Sequence, residues 1–161
     1  MAALELISKS ADARVQVLIA RALRLLSLHA PNAPIMAQQG FLTIVRKIYT
    51  IAAETTSGPD ASTMREAVFH AMSALETMSW EANAAEILVF TGGTVITGLL
   101  LRYDLRALCR PACVVLCNMT SARGTQQKMV DEGFTDILVE ICDQVLFARS
   151  EAARMSAGAP G

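Results

Sequence analysis

Three glycines, Gly40, Gly92 and Gly133, each stand at the head of an apolar stretch, and the residues around them fall into one register. Fourteen positions before each glycine stand Leu26, Met78 and Met119; seventeen before, Leu23, Leu75 and Leu116; eighteen before, Ala22, Ala74 and Val115. Four before are Met36, Leu88 and Met129, four after are Ile44, Ile96 and Ile137, and eight after are Ile48, Leu100 and Ile141. All are apolar. In a chain that is 53% apolar, one such triple arises by chance about one time in seven, so six in a single register mark an internal repeat.

The repeated unit is helical. After Gly133, Phe134, Ile137, Leu138, Ile141, Cys142, Val145 and Leu146 recur at three- and four-residue spacing, with Asp136, Glu140, Asp143 and Gln144 opposite. That spacing paints one face of a helix apolar. Similar stripes run through 15–28, 41–51, 64–78 and 105–119, and the alternation expected of strands is absent, so the fold class is all-α. The glycines lie 52 and 41 residues apart. The extra length of the first interval falls in 53–63, read as an inserted loop around the turn residues Ser57, Gly58, Pro59 and Asp60. Ser62 or Thr63 is then placed to cap a helix beginning near Met64, with Glu66 completing a capping box.

A period near 41 residues, built from a short helix, a glycine turn, a second helix and an Ala-Leu-rich third helix, resembles the armadillo repeat family. The residues that carry the resemblance are Ala22 to Ser27 through Gly40, Ala74 to Ser79 through Gly92, and Val115 to Thr120 through Gly133. The two-helix HEAT family has a similar period, but the short segments 34–39, 86–90 and 126–131 ahead of the glycines favour three helices. The resemblance implies a right-handed α-solenoid of about three repeats over 15–147, with 1–14 as an N-terminal lead-in or cap and 148–161 as a flexible C-terminal tail.

In such a stack each repeat hides its apolar stripe against its neighbours, and successive third helices form a concave face that binds an extended peptide or protein segment. Counting along each helix from its apolar positions places His70, Ser73, Thr77 and Trp80 on the exposed stripe of the middle third helix. The equivalents are Leu18, Arg21, Leu25 and Leu28 before it, and Pro111, Val114, Asn118 and Ser121 after it. The candidate groove residues are therefore Arg21, Leu25, His70, Ser73, Thr77, Trp80, Val114 and Asn118. The nuclear-import adaptors of this family carry a ladder of paired Trp and Asn in the groove. Here only Asn118 matches the Asn position, Leu25 and Thr77 replacing it elsewhere, while Arg21, Ser73 and Val114 fill the Trp position. A ligand other than a basic import signal is implied.

The end of the stack offers a second surface. Phe134, Leu138, Ile141 and Val145 belong to a stretch too apolar for one narrow stripe, which predicts a sticky C-terminal face for homo-oligomerisation, docking on a partner, or continuation into a longer solenoid. A structural or assembly subunit acting through that face is the alternative to the interaction module or scaffold.

Other chemistries find little support. A formal net charge of −1 supplies no long-range field for polyanions, so a nucleic-acid partner is not expected. The longest apolar stretches fall far below the roughly 18 residues needed to span a bilayer, so no membrane insertion is expected. The first residues lack the basic start and apolar core of a secretion signal. With four cysteines and no such signal, the expectation is a reducing compartment, cytoplasm by default or nucleus. Cys109, Cys113 and Cys117, at four-residue spacing, read as small buried packing residues rather than metal ligands, because structural zinc takes CxxC-type pairs on turns. Thr91-Gly92-Gly93-Thr94 lacks the Lys-Ser/Thr of a phosphate loop and reads as a turn. His29 and His70 sit in different repeats with no nucleophile signature beside them, so no catalytic residues, metal or cofactor are expected.

Overall fold

The computed structural model describes residues 1–157 as an all-helical chain, with no strand among the described residues. In order, the helices are α1 (Ala2–Ile7), α2 (Ala13–Ser27), α3 (Asn32–Gln38), α4 (Phe41–Glu54), α5 (Pro59–Ser79), α6 (Ala82–Phe90), α7 (Gly93–Tyr103), α8 (Leu105–Ser121), α9 (Gln126–Asp131) and α10 (Phe134–Ala157).

Local chemistry sets where several of these helices begin. Asp12, Glu81 and Asp104 turn their carboxylates onto the free amides of Arg14, Ala84 and Ala107, at 2.8, 2.7 and 3.1 Å, and so cap α2, α6 and α8. Gly40, Gly92 and Gly133 all adopt left-handed backbone, with φ of 85°, 96° and 85°, immediately ahead of α4, α7 and the residues that open α10. An L side chain is disfavoured there. At Gly92 the turn bends the chain by 85° between α6 and α7.

The bends let helices of like position meet. Helix α2 packs on α5 and α5 on α8; α4 packs on α7 and α7 on α10; α3 packs on α6 and α6 on α9. The eighteen residues aligned on the three glycines are buried, except for half-buried Ala22 and for Leu26, which is 41% exposed where Met78 and Met119 are fully enclosed. Helix α2 is the first of its row, so no preceding helix of that row covers Leu26. At the same end, the buried side-chain amide of Gln16 donates to the carbonyls of Ser8 and Ser10, tying the segment after α1 onto α2.

Three expectations need correction. The extra residues of 53–63 do not form a loop throughout: α4 reaches Glu54 and α5 starts at Pro59, leaving 55–58 as the connection. Proline suits a first helical position because its missing N–H has no partner there in any case. Ser62 and Thr63 consequently lie within the first turns, donating to the Pro59 carbonyl at 2.9 and 3.4 Å, and Glu66 is too deep in the helix to close a capping box. The segment 148–161 is not a tail throughout, since α10 continues to Ala157. It is rich in alanine, the strongest helix former, and residues 158–161 lie outside the described part. Pro111 lacks a backbone donor and from sequence is expected to kink the helix or start a new one near Arg110, yet α8 runs unbroken past it, with buried Leu108 on one side and Ala112 and Val115 on the other.

No single described helix is long and apolar enough to cross a membrane. Gly93 is confined on two sides, because a Cβ there would lie 2.7 Å from the Leu88 carbonyl oxygen and 2.7 Å from Met119 Cε. A Cβ on Gly98 would meet only the tip of Ile137, at 2.9 Å. Gly93→Ala is expected to cost about 1–3 kcal/mol, and Gly98→Ala less because a side-chain tip can turn aside. Urea unfolding of both variants checks the order.

Candidate functional site

The exposed faces of α2 and α5 are joined by a line of polar side chains. Arg21 on α2 donates to Glu66 Oε1 on α5, and the same oxygen receives His70 Nε2 at 3.4 Å. His70 Nδ1 lies 3.3 Å from Arg24 Nη1, back on α2. Guanidinium only donates and carboxylate only accepts. An acceptor beside Nε2 and a donor beside Nδ1 match a ring that donates from Nε2 and turns Nδ1 toward Arg24. The His70 side chain is only 13% exposed and so is held in that orientation. Arg21 beside Glu66 lowers the carboxyl below its ordinary 4.5, opposed by a smaller effect of desolvation. Leu25 and Leu28, 67% and 64% exposed, complete a cleft of about 340 Å³ with Arg21, Arg24 and His70.

A second hollow of about 280 Å³ opens on the other side of α5, walled by Val68, Phe69, Tyr103, Ala107 and Leu108, with Arg65 and Asp104 3.8 Å apart beside it. Burial pushes the Tyr103 hydroxyl above its usual range. Farther along, Asn118 Nδ2 on α8 donates at 3.0 Å to Ser79 Oγ on α5, whose own proton goes to the Glu76 carbonyl at 2.7 Å.

Of the eight groove residues read from the sequence, Arg21, Leu25 and His70 are brought together in the first cleft. Asn118 is engaged with α5, and Thr77 donates to the Ser73 carbonyl of its own helix at 2.9 Å. Ser73, Thr77, Val114 and Asn118 are half-buried, and Trp80, capping the end of α5, is 70% exposed and not a core residue. Arg24 and Glu66 complete the cross-helix line but fall outside the stripe read from the sequence. Their signal was the spacing: Arg24 lies three residues from Arg21, and Glu66 four from His70, each one helical turn away.

Two further readings are overturned. Cys113, Cys117 and Cys142 are exposed and Cys109 is half-buried, so the cysteine line is not buried packing. Only Cys109 packs against the core; Cys113 and Cys117 turn outward. No group of three or more His, Cys, Asp or Glu side chains suited to a metal occurs among the described residues. On α10, Leu138 and Val145 are exposed, as are Leu146 and Phe147, but Ile141 is only 7% exposed and half-buried Phe134 packs on the core. Ile141 follows Ile137 by one turn and shares its inward face, so it is not an end-face contact. Arg102 of α7 meets Glu140 of α10 with three bonds of 2.7–2.9 Å, a contact compatible with the rotation that buries Ile137 and Ile141.

Replacing Arg21 by alanine is expected to return the Glu66 carboxyl toward 4.5, read by NMR titration of its side-chain carbon. Because the folded-state value is depressed, the pairing stabilises above the ordinary carboxylate range and is lost as pH falls through the lowered value. Partial burial and the neighbouring Cys109 raise the Cys113 thiol. Iodoacetamide is expected to alkylate Cys113 more slowly at neutral pH than an unperturbed thiol, as measured by peptide mass mapping.

Comparison with protein-family models, curated proteins and solved structures finds no match to this chain.

Proposed function

We propose that the chain is an armadillo-like α-solenoid acting as a non-enzymatic protein–protein interaction module, binding an extended partner segment along the face shared by α2, α5 and α8. The observation that carries this reading is the cross-helix line Arg21–Glu66–His70–Arg24 together with the Asn118–Ser79 bond. These bonds join α2 to α5 and α5 to α8, and in this reading the three helices offer one surface to a partner. On it, Leu18, Leu25 and Leu28 at α2 and Trp80 at the end of α5 are exposed beside the polar side chains of the line. A surface with large apolar groups set among oriented donors and acceptors suits a peptide, whose backbone needs partners and whose side chains need cover. The packing of α2 on α5 on α8 and of α4 on α7 on α10 supports the solenoid reading, since helices of like position follow one another in contact, with α4 on α5 and α7 on α8 joining the rows.

An assembly subunit is the second reading, favoured by exposed Leu138, Val145, Leu146 and Phe147 on α10. A photo-crosslinking benzoylphenylalanine placed in cells at Thr77, Leu138 or Arg46 separates the two. Groove binding predicts adducts from Thr77 and none from Arg46, which is exposed on α4. Adducts from Leu138 with none from Thr77 would overturn the groove in favour of assembly.

A further inference from the structure

We infer that the α2–α5 end of this face receives an acidic segment of its partner, one carboxylate settling on the Arg24 guanidinium beside His70 and a neighbouring apolar side chain lying across Leu25 and Leu28. The inference rests on the groove reading above and names the chemistry of what fills it.

The two arginines at this cleft are not equivalent. Arg21 is bound to Glu66, the one carboxylate that reaches the cleft residues, and that carboxylate is already shared with His70. Among the described residues, no Asp or Glu side chain lies within salt-bridge distance of Arg24, whose polar partner is the ring nitrogen Nδ1 of His70. One imidazole contact uses a single N–H of a fork that holds five and offers no compensating charge. A carboxylate meets the same fork with two parallel charge-assisted bonds. The cleft thus holds two guanidiniums against one carboxylate. A basic segment would meet repulsion, and its cations would have to compete for a carboxylate already shared by Arg21 and His70.

The apolar half of the cleft adds the second requirement. Leu25 and Leu28 follow Arg24 by one and four residues, so the guanidinium and both leucines occupy adjoining ground on one helix flank. An occupant that covers both needs an acid and an apolar residue close together. A purely acidic chain leaves the leucines wet, and a nucleic acid would meet two cations with a fixed carboxylate between them.

Fluorescence anisotropy on the full chain tests this. The probes are a fluorescein-labelled peptide of alternating Glu and Leu, the same peptide with Lys for Glu, the same with Ser for Leu, and a labelled single-stranded oligonucleotide. The Glu-Leu peptide is expected to bind at least about tenfold more tightly than the other three. Arg24→Glu, an exposed position whose folding circular dichroism verifies, is expected to weaken the Glu-Leu peptide by about tenfold and to strengthen the Lys-Leu peptide. That exchange of preference is one that a merely structural role of Arg24 would not produce. Equal binding of the Lys-Leu peptide by the wild type, tighter binding of the oligonucleotide, or indifference of the Glu-Leu peptide to Arg24→Glu would each overturn the inference. If the Glu-Leu peptide fails while Thr77 still crosslinks a partner, the groove stands and its acidic occupant falls; if both fail, both readings fall.

Discussion

The turns ahead of α4, α7 and α10 are the constraint from which the remaining architecture follows. Each places a residue at a φ that an L side chain tolerates poorly, and each does so between a short helix and a longer one. With the chain redirected by 85° at Gly92, the apolar face of the longer helix meets the helices before and after it in its row. Straighten these turns and Ile44, Ile96 and Ile137 would lose the neighbours that bury them. The helices themselves are unremarkable amphipaths, held by burial more than by intrinsic propensity.

This constraint was legible in the sequence because it is written in residue types. Glycine is the residue that a left-handed turn selects, and an apolar residue is what an enclosed position selects, so aligning the glycines located the core. Leu26 is instructive as the exception. It occupies a core register position yet is 41% exposed, because the register describes what a residue would meet in a row and α2 has no predecessor there.

What the sequence hid depends on rotation and reach. The start of α5 was obscured by Ser57, Gly58, Pro59 and Asp60, a combination as well suited to a turn as to a helix opening on proline, and packing chose between them. The line of cysteines on α8 has helical spacing, but spacing alone does not say whether a face points inward; Cys113 and Cys117, both exposed, show that most of this one does not. The pairing of Arg21 with Glu66 spans 45 positions of sequence, and nothing local distinguishes it from two solvated charges. His70 was named for its place on the stripe, whereas its contacts with Arg24 and Glu66 required knowing what stood on either side of it.

Gln16 carries a consequence for the amino end. A buried amide whose donor hydrogens are met by the carbonyls of Ser8 and Ser10 makes the opening residues part of the interior's polar accounting rather than an appendage. Peeling that strip away breaks both bonds at once, so a protease trimming inward meets its first buried anchor at Ser8, before α2 begins.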